Sequence, residues 1–181
     1  MNEDELIQLL KTPGTLHVGF KELVSQYKEP LYWHIRKIVI RHDDADDVLQ
    51  NTFIKIFNNI AKFKGNSKLY SWMYRIATNE AISFINQRAK KHNSTTEEVQ
   101  QVILSNLTSD DFFDGDAAQL KLQQAIATLP QKQQLVFNMK YFDNIKYQNM
   151  SEILDTSVGA LKASYHHAVK KIEAYIKHEI D

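Results

Sequence analysis

One stretch constrains the fold of this chain more than any other: Tyr147–Lys171, YQNMSEILDTSVGALKASYHHAVKK. Its apolar residues fall at helical spacing twice, with a short break between. Met150, Ile153 and Leu154 mark one side of a first helix over Tyr147–Leu154. Asp155 and Thr156 interrupt the pattern, and Asp tolerates the left-handed conformation that a tight turn needs. Ser157 can cap the next helix by accepting a backbone N–H bond. Val158, Leu161, Tyr165, Ala168 and Ile172 then repeat at spacings of three and four, one buried helical face. Such a unit is either an αα-hairpin with a solvated polar face or a helix-turn-helix that sets its second helix into a DNA major groove. The opposite face of that helix carries Lys162, Ser164, His166, His167, Lys170 and Lys171. All are donors or cations, as a DNA-facing surface requires.

The rest of the chain is also helical in pattern. Only five glycines and three prolines punctuate 181 residues, so an all-α architecture is expected. The absence of cysteine excludes disulfides, thiolate catalysis and Cys-ligated zinc, and fits a cytoplasmic location. No apolar run reaches the length of a membrane span, about 18 residues, so no membrane insertion is expected. The start, MNEDELIQLL, is acidic and lacks the basic region of a signal peptide. The formal net charge of zero conceals alternating blocks. Residues 17–92 hold thirteen Lys and Arg against seven acidic residues, and 118–181 hold eight against six. Residues 93–117 hold six acidic residues and no Lys or Arg. Two basic blocks around an acidic segment suit a polyanionic partner. The acidic segment could cover those surfaces when DNA is absent, or act only as a soluble tether.

In chain order, residues 1–15 form a frayed or short helical lead ending at Thr12-Pro13-Gly14. A helix over Leu16–Lys28 presents Phe20, Leu23, Val24 and Tyr27. Pro30 then suits the first turn of a new helix, Leu31–Ile40, where its missing N–H costs nothing. After a break at 41–44, a helix over Ala45–Ile60 buries Val48, Leu49, Thr52, Phe53, Ile56, Phe57 and Ile60. Asp43, Asp44, Asp46 and Asp47 crowd its start, where the helix dipole favours carboxylates. They match no calcium loop. A polar turn, FKGNSKL, leads into a helix over Tyr70–Arg88 that mixes Tyr70, Trp72, Tyr74, Arg75, Asn79 and Arg88 with apolar residues. Rings beside cations are what single-stranded nucleic acid needs, for stacking and for phosphates. The alternative is that Trp72, Tyr74, Ile76 and Ile82 are core.

The periodicity then lapses over 93–117, an interdomain linker in which Val99, Val102, Ile103, Leu104 and Leu107 suggest a short helix. A second domain, 118–181, begins with a helix through Leu120, Leu122, Ile126 and Leu129 that stops before Pro130. Another follows over 131–143, with Leu135, Val136, Met139 and Phe142 buried, and then the pair of helices described first.

An enzyme finds no support. His166 and His167 are adjacent, so they point about 100° apart on a helix and cannot form an i, i+4 metal pair. No Gly-rich phosphate loop, nucleophile elbow or HExxH occurs. No metal or cofactor is expected.

Three ordered motifs carry a family resemblance over roughly residues 20–171. DDADDVLQNTFIKIF is similar to the acid-rich D-x-x-D-x-V-Q-x-T-F-x-K helix of the extracytoplasmic-function (ECF) group of bacterial RNA polymerase sigma factors. FKGNSKLYSWMYRIATNEAISF resembles that group's F-x-G-x-S-x-x-x-W-x-Y-R-I-A-x-N segment. AIATLPQKQQLVFNMKYFDNIKYQNMSEIL and SVGALKASYHHAVKKI resemble its DNA-binding domain. The resemblance implies a division of labour between residues 16–92 and 118–181. The acid-rich helix would bind core RNA polymerase through Asp47, Gln50 and Asn51, the last standing where the family has Glu. Phe63, Gly65, Asn66, Ser67, Lys68, Trp72, Arg75 and Asn79 match the part that melts the promoter −10 element and captures a flipped base. The second domain would read −35 duplex, and an anti-sigma factor would be a further partner.

The departure from the family lies in the recognition helix. The usual T-V-K-S-R-x-x-R-A-R appears here as Ala160–Val169, with three arginines absent. Arg bidentate to guanine is the commonest specific major-groove contact, so a less G-dependent preference is expected. Phosphate contacts would fall to Lys146, Lys162, Lys170 and Lys171. A standalone helix-turn-helix regulator is the alternative reading, and it would have no need of the aromatic-basic helix.

Overall fold

The computed structural model describes residues 1–105 and 115–178. Among them are nine α-helices and no strand. The first four are α1 (Glu3–Lys11), α2 (Leu16–Val39), α3 (His42–Asn59) and α4 (Leu69–Lys91), with a 3₁₀ turn at Ile60–Lys62. Helix α5 (Thr96–Ser105) lies between them and the last four, α6 (Ala117–Ala127), α7 (Gln131–Tyr141), α8 (Tyr147–Leu154) and α9 (Val158–His178).

The N-terminal lead is a packed helix. Glu5 N–H donates to Asn2 Oδ1 at 2.8 Å, and Asn2 N–H donates back to the Glu5 carboxylate at 3.1 Å, a capping box. Leu6 and Leu10 are buried on α2. The crossing is close because of Gly19, where a Cβ would lie 2.9 Å from the Cβ of Leu9.

Two expected helices, Leu16–Lys28 and Leu31–Ile40, are one. Pro30 sits inside α2, not at a helix start. It leaves the Gln26 carbonyl without its i+4 donor, a loss that water can make good because residues 28–30 are exposed. Leu23, Leu31 and Ile35 are fully buried on the other side, and their packing carries the helix through the proline. Ile40 ends α2 at φ +71°, an unusual conformation for a β-branched residue. Its side chain is held in a cluster with Ala89, Val99 and Ile103.

Helix α3 starts earlier than expected, at His42, and Asp44 is more than a dipole partner. It is buried and paired with Arg88 of α4. Phe53 and Phe57 are only half-buried, edge-on to Phe20 of α2. In the second half of the chain, Phe142 is the main revision. Helix α7 ends at Tyr141, so Phe142 turns outward (40 % exposed) and Phe137 takes the core position (4 %). The linker segment contains the short helix foreseen, and Leu107 falls outside the described residues. Helix α5 is more than a tether: Val99, Ile103 and Leu104 are buried, and Gln100 exchanges amide hydrogen bonds with Gln134 of α7 at 3.0 and 3.1 Å.

One apolar cluster runs from α1–α4 into α7, α8 and the start of α9, taking in Leu135, Val136, Met139, Met150, Ile153 and Leu161. Helix α8 packs along α4, and α7 touches α2. A second cluster joins Ala125, Ile126, Leu129 and Phe137 to Ala168 and Ile172 of α9.

Candidate functional site

The helix-turn-helix forms as its residues dictate. Asp155 ends α8 in the left-handed region, φ 49° and ψ 52°. Ser157 Oγ accepts from Ala160 N–H at 3.3 Å. Leu161, Ala168 and Ile172 are buried, Tyr165 is half-buried, and Lys162, His166, His167, Lys170 and Lys171 stand in solvent, with Ser164 half-covered. Lys146 is exposed before α8. Next to it, the Tyr147 ring lies under two ammonium groups, Lys140 at 5.1 Å and Lys162 at 5.9 Å. The exposed face of α9 is thus cationic and histidine-rich, with no guanidinium.

A second surface forms where the 63–68 loop meets α4. Gly65 has φ +74°, a conformation that favours glycine. Asn66 and Lys68 are exposed and Ser67 half-buried. Phe63 is not a surface residue: it is 5 % exposed and packs under Trp72, ring centres 5.2 Å apart. Its part is to support the loop and the half-buried Trp72. Trp72, Arg75 and Asn79 follow at i, i+3 and i+7, with Arg75 and Asn79 exposed. Tyr74 belongs to the core, in ring contact with Tyr70 at 4.2 Å and His34 at 4.9 Å. Burial pushes the Tyr70 phenol up to about 12 and Tyr74 higher still, so both phenols stay neutral.

A third surface lies on α3. Asp47, Gln50 and Asn51 are exposed on one helical face. Ile54, one turn on, is 57 % exposed between these polar groups. Sequence reasoning missed it. The signal was an isoleucine off the apolar stripe of an otherwise well-patterned helix. The three surfaces do not converge on one site. Among the described residues, no group of three or more His, Asp or Glu is placed to hold a metal ion, and no helix is long and apolar enough to cross a membrane.

Two small helical bundles, one ending in a helix-turn-helix with a cationic outer face, define a DNA-binding transcription protein. The family profile "Sigma-70 region 2" matches residues 23–91, and "Sigma-70, region 4" matches residues 119–172. The ECF RNA polymerase sigma factor SigW of Bacillus subtilis is 28 % identical over 156 residues, covering 82 % of this chain and 83 % of SigW. The ECF sigma-E factor of Haemophilus influenzae is 26 % identical over 167 residues, covering 88 % of each chain. Among solved structures, CnrH in complex with the cytosolic domain of CnrY aligns with a TM-score of 0.70 at 18 % identity, over 97 % of both chains. The sigma factor RpoE of Bartonella quintana, in complex with the anti-sigma factor NepR, aligns at 0.65 and 17 %, over 87 % of this chain and 96 % of that one. The chain belongs to the sigma-70 family, as an ECF sigma factor. Its function is that of the family: it binds core RNA polymerase and directs promoter recognition and transcription initiation.

Proposed function

We propose that the labour is divided along the chain, with 16–92 serving core polymerase and the −10 element, 93–117 linking, and 118–181 serving the −35 element. The exposed face of α3, with Asp47, Gln50 and Asn51, docks on core polymerase. Ile54 is the apolar centre of that contact, since interface energy concentrates in a few anchors ringed by polar groups. The loop Gly65–Lys68 and the α4 residues Trp72, Arg75 and Asn79 handle the melted −10 strand, with Phe63 as their support. A stacked base and a phosphate fit a half-buried indole beside an exposed guanidinium. Helix α9 reads −35 duplex through Lys162, Ser164, His166 and His167, while Lys146, Lys170 and Lys171 hold phosphates.

The observation that carries this reading is the exposure of all three polar α3 residues around a solvent-facing isoleucine. The protein acts as a non-catalytic factor in the cytoplasm. The solved neighbours CnrH and RpoE are bound to CnrY and the anti-sigma factor NepR, and this favours an anti-sigma partner here as well. Co-purification with core RNA polymerase tests the α3 assignment. Asp47→Ala/Gln50→Ala should weaken retention at least tenfold, about 1.4 kcal/mol. Retention equal to wild type would move the interface off α3.

A further inference from the structure

The outer face of α9 carries two adjacent imidazoles among fixed cations. His166 and His167 are both exposed, with ring centres 6.0 Å apart. Among the described residues, neither ring makes a hydrogen bond or an ion pair. Their nitrogens are therefore open to a partner. Lys162 and Lys170 stand one helical turn to either side of His166, and Lys171 one turn beyond His167. Glu173 lies two turns on from His166. The elements packed on α9 are α6, α7 and α8. From α8, the Tyr147 ring lies under Lys162 at 5.9 Å and under Lys140 of α7 at 5.1 Å. Burial raises that phenol above its usual value, so it stays neutral. Glu152 of α8 and Asp155 of the turn pair with neither histidine. Lys132 and Tyr141 complete the titratable groups of α7, and Lys121 is that of α6. The two rings thus sit among lysines, with no carboxylate paired to them.

His167 stands at the second arginine of the pattern T-V-K-S-R-x-x-R-A-R, with Ser164 and Val169 at the other two. An arginine is charged at every working pH, whereas an imidazole ordinarily titrates near pH 6.5. The neutral ring offers one donor and one acceptor. The protonated ring offers two donors and a positive charge, which suits phosphate oxygens and the acceptors O6 and N7 of guanine. A phosphate beside an imidazole favours the charged form. We propose that −35 recognition is proton-linked: the duplex is gripped by His166 and His167 in their protonated form, and binding takes up protons. The proposal rests on the assignment of α9 to the −35 element. A group whose pKa rises on binding adds affinity that is complete below its free value and lost as pH rises through its bound value. The −35 contact therefore tightens from about pH 8 to about pH 6. Lys162, Lys170 and Lys171 supply the part that does not change with pH.

Holoenzyme assembled from core RNA polymerase and the full chain tests this on a promoter fragment found by its mapped transcript start. His166→Gln/His167→Gln removes the titration at two exposed helical positions, which glutamine suits. Affinity for the fragment is measured for both proteins at pH 6 and pH 8 in the same salt. The ratio of wild type to variant should be about five- to tenfold larger at pH 6, the gain from a rise of about one pKa unit on binding at one histidine. A fragment cut between the −10 and −35 elements should show no such difference. A ratio above 1 but equal at the two pH values would overturn the proton linkage and leave the histidines on the −35 surface. A ratio of 1 at both would overturn the proposal and take them off it. A pH-dependent ratio that persists on the cut fragment would place the effect away from −35 and also overturn it. Lys162→Ala separates the proposal from the reading beneath it. Weaker binding of the uncut fragment by that variant keeps α9 on the −35 element whatever the histidines do, and unchanged binding by Lys162→Ala and by the double variant removes it.

Discussion

At Asp143, burial raises the carboxyl pKa, but the hydrogen bond and charge of His34, then the charge of Lys37, outweigh it and hold the pKa below the ordinary 3.8. Tyr70 and Tyr74 also face the group and are neutral there. A carboxyl with a lower pKa folded than unfolded adds stability that is complete above 3.8 and vanishes as pH falls through the folded value. The wild-type advantage over Asp143→Asn in urea midpoint should therefore still be present at about pH 5 and shrink below 3.8. An advantage already gone at pH 5 would mean that Asp143 is not held ionised by His34 and Lys37. Residues are also where sequence reading was weakest. The swap of Phe142 for Phe137 depends on the point where α7 stops. Phe63 looked like part of a DNA-facing motif, yet its ring is a floor for Trp72.

Elements were more legible, because periodicity and caps act locally. The α8–turn–α9 unit has the helix limits, left-handed Asp155 and Ser157 cap that its residues imply. Its turn gives a sharp test. Asp155→Val places a β-branched residue at φ 49°, which should cost about 1–2 kcal/mol. Thermal unfolding followed by circular dichroism should show a midpoint lower by a few degrees. An unchanged midpoint would mean that the turn does not hold this conformation in solution. The boundary at Pro30 failed for the opposite reason. Local chemistry favours a helix start there, but Leu23, Leu31 and Ile35 are buried by distant partners, and tertiary packing carries α2 straight through.

At the scale of the whole molecule, the sequence showed two basic blocks and an acidic segment between them but not how they meet. His34 and Asp143 are 109 residues apart, and no repeat or motif links them. The same holds for Gln100 with Gln134, which makes the linker helix part of the packing. The family motifs, by contrast, lie in short contiguous runs, so function was easier to read than the packing of the two bundles. The central claim is that this chain confers promoter-specific initiation on core polymerase. The most direct measurement is transcription by purified core RNA polymerase on genomic DNA, with and without the protein, mapping transcript 5′ ends. The account predicts discrete new start sites that appear only with the protein and share an upstream sequence. Core polymerase that gains no start sites, together with specific duplex binding by the protein alone, would contradict it and leave a standalone helix-turn-helix regulator.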